Sequence, residues 1–173
     1  VVGNPPALNY QDSDVMQEQL YYYQVSAVDQ AGNESILSDT VSAIIIVDLV
    51  INEIMQNPSV VADADGEWFE IYNKGNVEVP LHNWTIKDAD NEIHTITGGS
   101  IPIGSYFVFG NNSNTSVNGG VSIDYNYGTE ISLSNVTDEL ILVDPNNVLK
   151  DSVAWDNGTT FPDPTGSSMA LLD

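Results

Sequence analysis

The feature that most restricts the fold is a two-residue hydrophobic periodicity that continues along most of the chain. In its cleanest instance, Phe69 and Ile71 share one face of a predicted strand. Trp68, Glu70 and Tyr72 share the opposite face. Loops rich in Gly, Asn, Asp, Ser and Pro separate many such short segments, and no segment has a sustained helical period with caps. This pattern predicts an all-β sandwich.

The alternation predicts a series of short strands and one internal boundary. The strands are predicted at residues 20–28, 40–47, 49–55, 67–73, 83–87, 92–97, 106–110, 130–133, 139–143, 151–155 and 168–172. A turn is expected at residues 29–33. We place the boundary near Asp48, which gives domains at residues 1–48 and 49–173. No Gly/Ser-rich or Pro-rich linker lies there, so the domains are expected to abut.

The charge of the chain argues against several partners. It carries 25 acidic residues against three basic ones, Lys74, Lys87 and Lys150, for a formal net charge of −22. Nucleic-acid binding depends on Lys and Arg that displace counterions from phosphates, so we expect no nucleic-acid partner. Anionic membrane surfaces are disfavoured for the same reason, and no apolar run is long enough for membrane insertion. Divalent cations and neutral sugars remain compatible, as does a merely solvated acidic surface.

The chain contains no cysteine, which excludes disulfides, thiolate metal sites and a cysteine nucleophile. Cysteine absence suits a bacterial secreted module. The chain begins with Val1 and shows no signal peptide, so we interpret it as a segment of a longer precursor.

The first part resembles the C-terminal half of a fibronectin type III domain. The matching run is YYYQVSAVDQAGNES at residues 21–35, followed by Ser38. The resemblance implies the penultimate strand, a turn and the final strand of that sandwich, with Tyr21 at the tyrosine corner. The upstream strands are missing, so the apolar faces are expected to pair with the second domain or in a homodimer.

The second part resembles the lamin tail domain in its bacterial form. The motifs that carry the resemblance are INEI at 51–54, DGEWFEIYN at 65–73, LHNWTIKD at 81–88, IPIGSYFV at 101–108, LSNVTDELIL at 133–142, DSVAW at 151–155 and PTGSSMAL at 164–171. The resemblance implies an immunoglobulin-like β-sandwich without catalytic activity. It also implies a secreted or cell-surface bacterial protein, in which such modules accompany hydrolases. The near absence of basic residues departs from the animal relatives.

Residue-level chemistry supports the same non-enzymatic interpretation. The histidines His82 and His94 are not accompanied by a Gly-x-Ser-x-Gly elbow, and each is expected to be structural. Glu53 is the one evident partner for Glu70 in carboxylate-pair chemistry, and no sugar-cleaving cleft is recognisable. We expect Glu70 to make a structural hydrogen bond. We therefore predict a protein that is not an enzyme.

The alternative function is calcium-dependent or carbohydrate binding. Asp63, Asp65 and Glu67 give the loop an oxygen density that suits calcium, although the spacing is not that of an EF-hand. Equally, Asp side chains form turns by bonding their own backbone. Tyr125 and Tyr127 are predicted to form an exposed sugar-stacking site, whereas Trp84 and Trp155 are assigned to the core. The predicted partners are a protein, the cell envelope or a carbohydrate, and calcium is the only cofactor considered.

Overall fold

The structure is a computed structural model that describes residues 3, 9–89, 91–160 and 162–171. Contacts along the chain separate two compact units, Val1–Val47 and Asp48–Asp173. Both are built almost entirely of strands and loops. Among the described residues, no helix has the length and apolar character needed to cross a bilayer.

The described part of the first unit contains one antiparallel pair of strands. Strand β1, Leu20–Tyr23, pairs with β2, Val41–Ile44. Both are shorter than the predicted strands. Beyond β1 the backbone bonds a loop and not a strand: the Val25 N–H donates to the Ser38 hydroxyl at 3.0 Å. The predicted turn at residues 29–33 is confirmed, since the Asp29 carboxylate accepts the Ala31 and Asn33 N–H groups.

The second unit contains the larger sheets. Its elements are β3 Leu49–Met55, α1 Asp63–Gly66, β4 Trp68–Asn73, β5 Val79–Pro80, β6 Thr85–Lys87, β7 Ile93–Thr95, β8 Ser100–Ile101, β9 Tyr106–Gly110, β10 Tyr125–Asn126, β11 Thr137–Val143, β12 Leu149–Asp156 and β13 Met169–Ala170. Five strands form one sheet in the order β10-β9-β4-β3-β13, and four form another in the order β12-β11-β6-β7. Every neighbouring pair in these sheets is antiparallel except β9 and β10.

The core lies where the alternating apolar side chains of these sheets meet. Phe69 and Ile71 are fully buried, as the period of two predicts, and their neighbours along β4 are half-buried. The Phe69 and Phe109 rings stack with centroids 4.9 Å apart. Trp84 and Trp155 are both buried, which confirms their assignment to the core.

One predicted strand is wrong, and the reason is local hydrogen bonding. Residues 130–133 form a loop and belong to no sheet. The Ser132 N–H donates to the Glu92 carboxylate at 2.7 Å, and the Leu133 N–H donates to the Glu67 carboxylate at 3.2 Å. Side-chain acceptors therefore replace the neighbouring strand that these backbone groups would need. The predicted strand at 168–172 is reduced to β13, and residue 172 lies outside the described residues.

Candidate functional site

A cavity of about 350 Å³ lies beside α1 in the second unit. Its walls come from α1, from Glu67 just before β4, from Asn111 just after β9 and from the loop that precedes β11. The lining residues are Asp63, Ala64, Glu67, Asn111, Gly128, Thr129, Ile131, Ser132, Leu133, Ser134 and Asn135. The cavity therefore contains two of the three predicted calcium ligands, and we call it the Glu67 cavity.

The carboxylates of α1 fasten neighbouring loops to this wall. The Asn135 side-chain amide donates to Asp63 Oδ2 at 2.8 Å. The Asn111 amide donates to the backbone carbonyl of Asp63 at 2.6 Å. Asp65 does not line the cavity, and its Oδ1 accepts the Asn112 amide at 2.7 Å. The structure thus brings Asp63 and Glu67 to one cavity and gives Asp65 a different partner.

Glu67 is the most unusual ionisable group of the cavity. The residue is only 6% exposed. Burial raises the pKa of its carboxyl from 4.5 to about 7, against the effect of the Leu133 N–H bond. The negative charges of Asp63, Glu92 and Asp138 raise this pKa further. The side chain is therefore poised between its charged and neutral forms near neutral pH.

Two buried oxygen atoms at the Glu67 cavity have no hydrogen-bond donor. They are Oδ1 of Asn111 and Oδ1 of Asn135, whose amide nitrogens both donate to Asp63. Unpartnered buried oxygens are rare and call for a bound water, an ion or another explanation. Among the described residues, however, no three His, Cys, Asp or Glu side chains are grouped closely enough to hold a metal ion. Calcium binding at Asp63, Asp65 and Glu67 stays a prediction.

The tyrosine pair has a different arrangement from the one expected. Tyr127 is 2% exposed and its ring stacks on Phe69 with centroids 5.8 Å apart. Burial raises the pKa of its hydroxyl far above the ordinary value. The prediction that Tyr127 is exposed is therefore wrong, because its ring packs in the core against Phe69 of β4. Tyr125 is half-buried and its ring is tilted against Phe109 at 5.6 Å.

The buried His94 side chain joins a polar network that the sequence did not suggest. Its two ring nitrogens contact the Glu130 carboxylate at 2.8 Å and the Tyr125 hydroxyl at 2.9 Å. The same hydroxyl accepts the Thr97 N–H at 3.1 Å. Neither nitrogen faces a Ser or Thr nucleophile in these contacts, and the network joins β7 to β10 across the two sheets. His82 is exposed and its Nδ1 lies 3.0 Å from the Thr97 carbonyl.

The remaining acidic side chains mostly have structural partners. The Asn52 amide donates to Glu70 at 2.8 Å, which is the structural hydrogen bond expected for Glu70. Asp144 is 3.5 Å from the Lys150 ammonium group, the one lysine–carboxylate ion pair of the described residues. No sequence pattern indicated the roles of Asn111, Asn135 or Glu130, since they lie in loops whose approach to α1 and β7 depends on tertiary folding.

The two larger sheets form an immunoglobulin-like sandwich. His94 and several acidic side chains hydrogen-bond residues of the connecting loops. Residues 46–157 match the family model of the Lamin Tail Domain. The chain belongs to the lamin tail domain family, whose members are non-enzymatic immunoglobulin-like domains. A search of curated proteins finds no match to this chain.

Proposed function

We propose that this chain is an interaction and scaffold module of a secreted or cell-surface bacterial protein, in which it positions or anchors a neighbouring hydrolase domain. The observation that carries the proposal is the use of His94 and of the acidic side chains in structural hydrogen bonds, within a family that is not enzymatic. A catalytic base must instead face a reacting group. The predicted partner is another protein or a component of the cell envelope.

Deletion of residues 48–173 from the full-length protein tests this proposal. We expect the location or substrate targeting of the parent protein to change while the intrinsic turnover of any neighbouring enzyme is retained. The isolated chain should also be inactive toward ester, phosphate and glycoside substrates. Turnover of any of these by the purified chain, or unchanged targeting after deletion, would contradict the proposal.

The first unit supports a related proposal about assembly. Tyr21 accepts the Met16 N–H at 2.9 Å, which is the upstream backbone contact of a tyrosine corner and favours the fibronectin type III interpretation. A two-stranded sheet is marginal by itself, and Tyr22, Val25 and Val41 are exposed on or beside this one. We propose that these strands form a homodimer. Sedimentation equilibrium of the full chain tests it, and a monomer at all concentrations would contradict it.

Calcium binding in the Glu67 cavity is a second candidate function, favoured by the two partnerless Asn oxygens. Calcium binds through carboxylate and carbonyl oxygens, and Asp63, Glu67, Asn111 and Asn135 supply both kinds. Because calcium must displace the proton of Glu67, binding should be tighter at about pH 8 than at about pH 6.

Calorimetric titration with calcium tests this candidate. We expect Glu67→Gln to abolish the heat and Glu78→Gln, which removes an exposed carboxylate, to leave it unchanged. Flat traces for the unsubstituted chain at millimolar calcium would end the idea.

A further inference from the structure

The outer face of the five-stranded sheet carries an ordered set of aromatic and acidic side chains. In the register of β3, β4 and β9, Tyr72 lies between Val50 and Tyr106. One row further along, Glu70 lies between Glu53 and Val108, and the next row places Trp68 between Met55 and Gly110. We call the set Glu53, Trp68, Glu70, Tyr72 and Tyr106 the outer aromatic–acidic face.

Two carboxylates oppose each other in the middle row of this face. Glu53 and Glu70 are direct partners in the β3–β4 register. The Cβ atoms of directly opposed residues are normally about 4.5–5.5 Å apart, and like charges at such positions are destabilising. Their contacts are to neutral groups: the Asn52 amide bonds Glu70 and the Ser168 hydroxyl bonds Glu53. Within the described part of the chain, neither carboxylate forms an ion pair. This face therefore holds negative charge that the chain itself does not neutralise.

Aromatic rings flank the carboxylate pair on both sides. The Tyr72 and Tyr106 rings stack with centroids 4.6 Å apart, and Tyr106 is 55% exposed. Trp68 is half-buried in the row on the other side. A cation placed over such rings is attracted by their negative faces. Aromatic faces beside paired carboxylates are therefore suited to an ammonium or guanidinium group.

We propose that the outer aromatic–acidic face binds an arginine or lysine side chain presented by a basic segment of a protein partner. Arginine fits best, because its guanidinium can bond a carboxylate and stack on an aromatic ring at the same time. The net charge of −22 would steer a basic partner toward the chain. A neutral sugar would leave Glu53 and Glu70 facing each other unneutralised. This inference rests on the proposed interaction function and specifies the chemistry of its partner.

Titration of the full chain with an arginine-containing peptide tests the proposal, with a glutamine-substituted peptide of the same length as the ligand control. We expect Glu53→Gln combined with Glu70→Gln to weaken peptide binding about tenfold at physiological salt. The matched control combines Glu78→Gln with Asp39→Asn, which removes two exposed charges elsewhere and should change binding less than about twofold. Tyr106→Ala should also weaken binding. Nuclear magnetic resonance shifts of the unsubstituted chain should concentrate at Trp68, Tyr72 and Tyr106.

If the two double variants weakened peptide binding equally, the proposal would be overturned, because the peptide would then respond to the overall negative charge and not to this face. Shifts confined to another surface, or equal binding of the glutamine peptide, would also overturn it, as would a neutral oligosaccharide that occupies the same face in competition. The Glu53→Gln, Glu70→Gln variant should also be compared with the module deletion in the full-length protein. If deletion alters targeting and the double variant does not, the partner chemistry is wrong while the interaction function stands.

Discussion

The carboxylate of Asp151 accepts the backbone N–H of Ile51 at 2.7 Å, although the two residues are one hundred positions apart. The β3–β4 register is irregular directly after Ile51: Ile51 pairs with Ile71 and Glu53 pairs with Glu70, so the pairing passes over Asn52. Asp151 lies in β12, opposite Leu142, and so shares the inner face of its sheet. The side chain of one sheet thereby satisfies a backbone donor of the other.

Loss of this bond should destabilise the second unit. We expect Asp151→Ala to lower the free energy of unfolding by about 1–3 kcal/mol, because the part-buried Ile51 N–H loses its acceptor. Asp151→Asn retains an acceptor oxygen and should lose less. Urea unfolding followed by tryptophan fluorescence measures both, and identical midpoints for the two variants and the unsubstituted chain would contradict the assignment.

The buried carboxyl of Glu67 should make stability depend on pH. Its pKa in the folded chain, about 7, exceeds its ordinary value of 4.5, so the folded chain retains a proton that the unfolded chain has lost between these values. The contribution of Glu67 to the free energy of unfolding therefore falls as pH rises from about 4.5 to about 7. We expect a change on the order of 1–3 kcal/mol, reduced by solvent in the cavity.

Glu67→Gln isolates this contribution, because glutamine keeps the shape of the side chain without its charge. With a chelator present, the variant should be more stable than the unsubstituted chain at about pH 8, and the difference should shrink as the pH falls toward about 5. Glu78→Gln serves as the control for removal of one negative charge. A stability difference between Glu67→Gln and the unsubstituted chain that does not vary with pH would contradict the raised pKa.

The Tyr125 hydroxyl should contribute to stability through its contacts with His94 and Thr97. Tyr125→Phe removes that hydroxyl and keeps the ring, and we expect a loss of about 1–3 kcal/mol because a ring nitrogen of the buried His94 loses its partner. Tyr106→Phe is the control, since it removes a hydroxyl from an exposed ring and should change stability by less than about 0.5 kcal/mol. Thermal unfolding would refute the prediction if both variants melted alike.

Asn73 ends β4 as a fully buried polar residue. Its amide donates to the Val77 and Ile101 carbonyls at 2.8 and 2.9 Å, and its side-chain oxygen accepts the Gly75 N–H at 2.9 Å. Asn73→Ala should cost about 3 kcal/mol, because one buried and two part-buried backbone groups lose their partner. Urea unfolding measures this cost, and a loss below about 0.5 kcal/mol, the usual effect of a surface substitution, would contradict it.

The sequence pattern predicts the bounds of some strands correctly, and in β3 buried and half-buried residues alternate along most of the strand. Residues 49–55 and 106–110 were predicted with the bounds that β3 and β9 have in the structure. The sequence pattern does not predict the strands β5, β8 and β10, because each has two residues and is too short to show a hydrophobic alternation. Residues 130–133 alternate like a strand, yet the carboxylates of Glu67, which follows α1, and of Glu92, which precedes β7, accept two of their N–H groups.

The sequence by itself determined the all-β class, the strand faces and the family, because side-chain alternation and the spacing of the motifs are local properties. Only the tertiary structure decided that Tyr127 is buried, that Glu67 lines a cavity with Asn111 and Asn135, and that Glu53 opposes Glu70. Those relationships depend on loops and strands that are distant along the chain. Burial and electrostatic environment are properties of the packed assembly, and the local pattern of residues does not encode them directly.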